Sequence, residues 1–159
     1  MVVELLGRMR GNMTAKDYLE QSRKIRQEIA WINKQIEEIE TSLGYHPLQL
    51  DDSGASKSNY VPDKMCEALS KVGDLYTDLN EKKAELVIKN NEIYSRLELM
   101  EDVSEREVLR LRYLERHPLR PLYPIGWVLI ARKMNYSKQG IIKLHSRALK
   151  HFGEILQRV

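Results

Sequence analysis

The sequence contains little of what several protein classes need. Its 159 residues include a single cysteine, Cys66, so no disulfide can form within the chain, and a reducing cytoplasm is the expected location. No apolar run approaches the roughly 18 residues that would span a bilayer, and the first residues lack the long apolar core of a signal peptide. Aromatic residues make up only 7% of the chain, which disfavours a β-sandwich core. These scarcities argue against an internal disulfide, a large β-sandwich and a membrane partner.

The residues that usually build catalytic and metal sites are also few. The four histidines (46, 117, 145 and 151) are scattered, and one cysteine cannot build a cysteine-rich zinc site. No glycine-rich stretch has the spacing of a phosphate-binding loop. We therefore expect no enzyme activity, no cofactor and no metal.

Charge is distributed unevenly along the chain. Residues 1–103 carry 14 Lys or Arg and 19 Asp or Glu, whereas residues 104–159 carry 12 Lys or Arg and 4 Asp or Glu. The second part is therefore strongly basic although the whole chain has a net charge of only +3. Such a division predicts two parts with different partners, the basic one binding a polyanion. The alternative is a chance excess of cations on a solvated face.

Two long segments carry stripe residues at alternating steps of four and three, which is the heptad pattern of coiled-coil helices. The first begins at Thr14, whose spacing to Asp17 is that of a capping box, and ends at Gly44. Its stripe consists of Tyr18, Ser22, Ile25, Ile29, Ile32, Ile36, Ile39 and Leu43. The second stripe consists of Met65, Leu69, Val72, Tyr76, Leu79, Lys83, Leu86, Asn90, Ile93, Leu97 and Met100.

These segments predict an antiparallel, coiled-coil-like helical hairpin in residues 14–103, with a loop at 44–62 and an N-terminal extension at 1–13. The second segment is the longer one, so part of its stripe must pack on the C-terminal part or on another copy of the chain. Pairing between chains would explain the heptads equally well, and we expect a homodimer. A buried Asn90 would fix the register of the helices. The alternative is that the stripe is exposed there and Asn90 meets water.

The C-terminal part, 104–159, is predicted to form a separate helix-turn-helix domain. Ser104 and Glu107 have the spacing of a capping box for a helix that ends near Arg116, before Pro118. After a proline-rich connector, two short helices are expected around 126–134 and 137–152. Asn135 suits the left-handed turn between them, and Ser137 is a natural N-cap for the second. The small Ala131 lies where the two helices would cross, and the other inward positions are Trp127, Ile130, Met134, Ile141, Leu144, Ala148 and Leu149.

This arrangement turns a basic face of the second helix outward. Its residues are the candidate DNA-binding site: Ser137, Lys138, Gln139, Ile142, Lys143, Ser146, Arg147 and Lys150. In a helix-turn-helix the start of the second helix enters the major groove, where Lys can bind guanine and Gln can bind adenine. Arg147 and Lys150 lie further along and are expected to hold phosphates. His145 is interpreted as a surface or DNA-facing residue. Gly140 would let the backbone approach DNA, or it is neutral.

The stretches "SEREVLRLRYL" and "WVLIARKMNYSKQGIIKLHSRAL" resemble region four of bacterial sigma factors, which reads the −35 promoter element. The resemblance covers roughly residues 104–152 and implies base contacts by Lys138, Gln139 and Lys143. Gln139 stands where that family has an acid, so a different sequence preference is implied. With "MTAKDYLEQ" and "DKMCEALSKVGDL", the whole chain is similar to small phage and prophage proteins related to ArpU-type late-gene regulators.

The sequence thus predicts a phage or prophage transcriptional regulator in the cytoplasm of a bacterial host. Its partners would be double-stranded DNA and a second copy of the chain, with RNA polymerase as a further candidate. One alternative is a phage DNA-packaging component resembling a small terminase subunit, which also joins a helix-turn-helix to an oligomerising helical part. Another is a protein-interaction module that does not bind DNA.

Overall fold

The structure is a computed structural model that describes residues 13–44 and 63–158. The described residues form helices and connecting segments without any β-strand, which confirms the predicted all-α class. The predicted loop and nearly all of the predicted N-terminal extension lie outside the described residues. Along the part of the chain that is described, no helix combines the length and apolar character that crossing a membrane requires.

Five α-helices follow one another along the chain. They are α1 (Ala15–Gly44), α2 (Asp63–Leu97), α3 (Val103–Leu109), α4 (Trp127–Met134) and α5 (Lys138–Arg158). A π-helical segment, Arg110–Leu114, directly continues α3. The bounds of α1 and α4 differ from the prediction by at most one residue, and α2 ends three residues before the last residue of its predicted stripe, Met100. The helix predicted to end near Arg116 is divided into α3 and the π-helical segment, which ends at Leu114. α5 continues six residues beyond its predicted end.

The start of α1 has the reciprocal cap that its sequence predicts. The Thr14 hydroxyl accepts a hydrogen bond from the backbone N–H of Asp17 at 3.1 Å, and the Asp17 carboxylate accepts one from the backbone N–H of Thr14 at 3.3 Å. These bonds satisfy donors that a helix start otherwise leaves without partners. The Thr14 hydroxyl also donates to that carboxylate, and this hydrogen bond lowers the pKa of Asp17.

The start of α3 differs from the prediction. Asp102, not Ser104, is the N-cap residue, and its carboxylate accepts from the backbone N–H groups of Ser104 at 2.8 Å and Glu105 at 3.1 Å. Glu107 does not complete a capping box but forms an ion pair with Arg110 at 2.7 Å. The predicted box is therefore wrong, because the chain enters the helix two residues earlier and presents a carboxylate instead of a hydroxyl.

The described chain forms two compact units that divide it differently from the predicted domains. One unit contains Gln27–Glu85, and the other contains the chain up to Arg26 together with the chain from Leu86 onward. The physical reason lies in the core of the second of these. Leu19 of α1 and Ile93 of α2 are fully buried in the same apolar cluster as Phe152 of α5. Both ends of the predicted hairpin thus belong with the C-terminal segment.

Within the unit Gln27–Glu85, α1 and α2 run antiparallel. Glu28 of α1 lies 2.8 Å from Lys82 of α2, and Glu40, further along α1, accepts a hydrogen bond from Tyr76, which lies earlier on α2. The unit has a small core of Ile32, Ile36, Val72, Leu75 and Leu79. Its pattern corrects the predicted α2 stripe, because Met65, Leu69, Tyr76 and Lys83 are exposed, whereas Leu75 is buried.

The other unit has the larger core, which draws on every helix. Its buried members include Tyr18, Leu19, Ile93, Leu97, Val108, Leu109, Leu111, Ile125, Ile130, Ile141, Leu144, Ala148 and Phe152. Polar residues of the two stripes also meet here. The hydroxyl of the buried Ser22 donates to the side-chain oxygen of Asn90 at 2.6 Å. Asn90 therefore has a side-chain partner within the chain. The alternative that the sequence left open, in which Asn90 meets only water, does not hold.

The π-helical segment also ends against α1. The buried guanidinium of Arg26 donates to the backbone oxygens of Tyr113 at 2.9 Å and Leu114 at 3.1 Å. Burial lowers the pKa of Arg26, and the neighbouring cation Arg116 lowers it further. These two bonds satisfy carbonyl groups that the end of the segment would otherwise leave unpaired. They hold the first part of α1 on the elements that carry α5.

Candidate nucleic-acid interface

The turn between α4 and α5 has the local geometry that the sequence predicts. Asn135 adopts a left-handed conformation, with φ of 59° and ψ of 41°, and it is the only described residue other than glycine with a positive φ. Asn tolerates this region better than most residues. The next residue, Tyr136, donates its backbone N–H to the carbonyl of Ala131 at 2.9 Å, which closes the end of α4. The turn therefore fixes where α5 begins.

Ser137 caps α5 as expected, and it also accounts for Gly140. The Ser137 hydroxyl accepts a hydrogen bond from the backbone N–H of Gly140 at 3.0 Å. A Cβ atom at position 140 would lie only 3.0 Å from that hydroxyl oxygen and 3.6 Å from the ring of Tyr136. Gly140 thus leaves room for the cap, a structural reason for a glycine that the sequence alone does not reveal.

The inner sides of α4 and α5 match their predicted positions closely. Ile130 and Ala131 of α4 are buried, as are Ile141, Leu144 and Ala148 of α5. Trp127, Met134 and Leu149 are partly buried against the same core. Phe152, which the prediction left at the end of the helix, is fully buried. Its position four residues after Ala148 continues the inward spacing, and this signal could have extended the predicted helix.

The eight predicted site residues all lie on exposed positions at the outer side of α5 and its cap. We call them the α5 outer face: Ser137, Lys138, Gln139, Ile142, Lys143, Ser146, Arg147 and Lys150. The first acidic residue of α5 is Glu154, beyond this face. Among the described ion pairs, Arg147 is the one cation of the face that has a carboxylate partner. Three lysines are thus displayed together on one side of a rigid helix.

Arg147 has a different environment from the lysines. Its Nε atom donates to the carboxylate of Glu105 on α3, and its terminal nitrogen lies 3.5 Å from a carboxylate oxygen of Asp102. The hydrogen bond to Glu105 raises the pKa of Arg147. Arg147 is thus held against α3 as well as exposed, whereas the sequence predicted only a phosphate contact.

Glu105 is a residue of this region that the sequence did not mark as important. It is 1% exposed, and its second carboxylate oxygen lies 2.6 Å from Nδ1 of His151. Arg147 and His151 are four residues apart and therefore share one side of α5. One buried carboxylate thus joins two successive turns of α5 to α3. No local sequence signal marks this arrangement, because it depends on which turn of α3 faces α5.

His145 is the clearest correction to the predicted surface. It is partly buried, its Nε2 atom lies 3.0 Å from the hydroxyl of Tyr113, and its ring packs edge-on against Trp127 at 4.7 Å. Burial lowers the pKa of His145 to about 4, with a further contribution from the charge of Arg112. His145 is therefore neutral near pH 7 and faces the π-helical segment and α4, so the expectation of a surface or DNA-facing residue is wrong.

Arg112 attaches the connector before α4 to the π-helical segment, which also contacts His145 through Tyr113. Its guanidinium donates to the backbone oxygen of Ile125 and lies over the Trp127 ring at 4.3 Å from the ring centre. A cation over an indole face is attracted by the ring quadrupole. The start of α4 is therefore fixed through Trp127 and Ile125, and α4 in turn positions α5.

No group of three or more His, Cys, Asp or Glu residues in the described chain is arranged to hold a metal ion. Comparison of the chain with protein-family models, with curated proteins and with solved structures found no match.

Proposed function

We propose that the chain is a DNA-binding transcriptional regulator that uses α4 and α5 as a helix-turn-helix. The observation that carries the proposal is the α5 outer face, which has three lysines without a described carboxylate partner on a helix whose opposite side is buried. A cationic face on a rigid helix suits the phosphate-lined major groove. The short α4–α5 turn, the buried Ala131 and the capped start of α5 support the same assignment.

The order of residues along α5 suggests how the contacts divide. Lys138 and Gln139 lie in the first turn, which enters most deeply in this binding mode, and they are proposed to bind guanine and adenine edges. Ile142 is 39% exposed and offers an apolar contact for a thymine methyl group. Lys143 follows one turn later and would bind a base or a phosphate. Ser137, Ser146 and Lys150 would contact the backbone, which positions the protein without specifying sequence.

Arg147 is assigned a second role in this proposal. Because its Nε atom is used by Glu105, it primarily fixes the rotation of α5, and only its remaining donors are free to reach a phosphate. Lys143 and Lys150 are therefore proposed to contribute more to DNA affinity than Arg147 does. The buried Glu105 would act as a positioning residue for the whole outer face.

The biological setting follows from the resemblance to sigma region four and to ArpU-type regulators. We propose a phage or prophage protein that acts in the bacterial cytoplasm. The unit Gln27–Glu85 is proposed to provide self-association or contact with a partner such as RNA polymerase. Its described residues carry 5 Lys and 10 Asp or Glu, so it is unsuited to binding DNA itself.

The proposal is tested by selecting bound sites from random duplex DNA and measuring affinity for the enriched site. The variant Lys138→Ala/Gln139→Ala/Lys143→Ala should lose affinity by roughly 5- to 150-fold for each base contact removed. A matched control, Lys34→Ala/Gln27→Ala/Lys71→Ala, removes the same residue types from the acidic unit and should bind as the unaltered chain does.

Two results would contradict the proposal. Failure to enrich any site, together with no measurable DNA affinity, would remove the DNA-binding role. Equal losses in the test and control variants would show that α5 does not carry the contacts. If light scattering found a ring of many subunits, the DNA-packaging alternative would be favoured over a regulator.

A further inference from the structure

One side of α2 is exposed and almost free of charge. Within the unit Gln27–Glu85 it is formed by residues three or four positions apart, which places them on one face of the helix. We call it the uncharged face of α2: Met65, Leu69, Gly73, Tyr76, Thr77 and Asn80. Met65, Leu69 and Tyr76 are 41%, 50% and 45% exposed, so large apolar side chains lie open to solvent. Lys83, one turn further on, ends the face.

The packing of the described chain does not explain why this face is uncharged and partly apolar. The buried residues of α2 in this unit, Val72, Leu75 and Leu79, lie beside it and pack against α1. Gly73 lies at its centre and has no atom within 4 Å of the position that a Cβ would take. Glycine disfavours the interior of a helix, and no contact within the described chain requires it here. Its absence of a side chain would let a second helix approach closely.

Charge indicates what kind of partner the face suits. Apart from this face, α2 presents acids and lysines in this unit, for example Glu67, Asp74 and Asp78, and the described unit is acidic overall. In a two-fold interface each residue meets another residue of the same surface, so a charge there would be buried without a partner unless the facing position carried an opposite charge. The uncharged face is the side of α2 on which a second copy could pack without burying an unpaired charge, and nucleic acid would be repelled by the surrounding acids.

We propose that a second copy of this chain docks on the uncharged face of α2, with the two α2 helices antiparallel and crossing at Gly73. Residues equally far before and after Gly73 then lie opposite one another across the interface. Leu69 then faces the smaller Thr77 of the other copy. Cys66, which is exposed beside Met65 on this side of α2, faces Asn80 of the other copy. This interface rests on the proposed function, because it specifies how the chain self-associates. The proposed DNA contacts of α5 do not depend on it.

The first test places a charge at the centre of the face. Light scattering of the full chain without DNA should give a dimer for the unaltered protein and a monomer for Gly73→Glu, with the helical circular-dichroism signal retained. Leu69→Glu should have the same effect. Trp31→Glu is the matched control, because Trp31 is 60% exposed on α1. Glu40 accepts a hydrogen bond from Tyr76 and so borders the face. Trp31 lies nine residues before Glu40, about two and a half turns, and is therefore on the opposite side of α1. The Trp31→Glu variant should remain dimeric.

The second test reads the register of the helices through a disulfide. Asn80→Cys adds a thiol that should form disulfide-linked dimers with the native Cys66 of the other copy under mild oxidation. Linkage within one chain is excluded because 14 residues of helix separate the positions by about 21 Å. Asp78→Cys, on the charged side of α2, should not link in this way. The unaltered chain should not link either, since its two Cys66 residues would lie at opposite ends of the contact.

Three outcomes would overturn the proposal. A monomeric unaltered chain would remove the interface, and a dimer that persists in both Gly73→Glu and Leu69→Glu would place the contact on another surface. Efficient Cys66 to Cys66 linkage in the unaltered chain would indicate parallel helices. Salt-dependent DNA binding by a monomer would leave the proposed DNA-binding role intact, so failure of one proposal is distinguishable from failure of the other.

Discussion

Arg147 on the outer side of α5 donates through Nε to the buried carboxylate of Glu105 on α3. The same carboxylate is 2.6 Å from His151 one turn later. The rotation of α5 about its axis is therefore fixed from α3, by a charge that is itself shielded from solvent. The direction in which the three lysines of the α5 outer face point depends on this connection.

Glu105→Gln should destabilise the fold more than Arg147→Ala does. The glutamine keeps the shape but loses the negative charge that faces both Arg147 and His151, whereas Arg147→Ala leaves Glu105 with His151 as a partner. Urea unfolding of the two variants measures the difference. If Glu105→Gln unfolds at the same urea concentration as the unaltered chain, the carboxylate does not position α5 in the way described.

The hydrogen bond between Ser22 and Asn90 gives a second prediction. Ser22→Ala should lower the free energy of unfolding by about 1 kcal/mol, because Asn90 keeps a partly buried amide with no partner. The pair Ser22→Ala/Asn90→Leu should recover most of that loss, since an apolar contact replaces both polar groups. A double variant that is less stable than either single variant would show that this polar pair is needed for packing.

His145 predicts a specific dependence of stability on pH. Its pKa is lowered to about 4 in the folded chain from an ordinary value near 6.5, so the unfolded chain binds more protons between these values. The stabilisation from neutral His145 is complete above pH 6.5 and is lost as the pH falls toward 4. Because the ring is only partly buried, solvent screening reduces the effect to the order of 1 kcal/mol.

Urea unfolding at pH 7 and pH 5 would measure this effect. His145→Gln can still bond the Tyr113 hydroxyl but does not titrate, so its stability should fall less between the two pH values than that of the unaltered chain. An equal fall in both would mean that His145 does not provide the pH dependence.

The elements that the sequence predicted well are those set by neighbouring residues. The cap at Thr14, the left-handed Asn135 and the cap at Ser137 each depend on a few consecutive positions, and each is found as predicted. The inward residues of α5 follow from helical spacing alone. The outer face then follows by elimination.

The features that the sequence did not reveal depend on contacts between distant residues. Asp102 and Ser104 are both competent caps, and only the path of the chain into α3 selects Asp102. His145 is drawn inward by Tyr113, which is 32 residues away, and by Trp127. Tyr18 packs near Phe152, with 6.1 Å between ring centres, so the start of α1 joins the C-terminal core. No periodicity within α1 distinguishes its first turns from the rest.

The measurement that tests the central claim most directly is the salt dependence of DNA binding with and without two lysines of the α5 outer face. The logarithm of the binding constant of the unaltered chain should fall linearly with the logarithm of salt concentration, by about 0.9 for each phosphate neutralised. In Lys143→Ala/Lys150→Ala the slope should be shallower by up to about 1.8, corresponding to two lost phosphate contacts. An unchanged slope in this variant, or no salt-sensitive binding by the unaltered chain, would contradict the assignment of α5 as the DNA-binding helix.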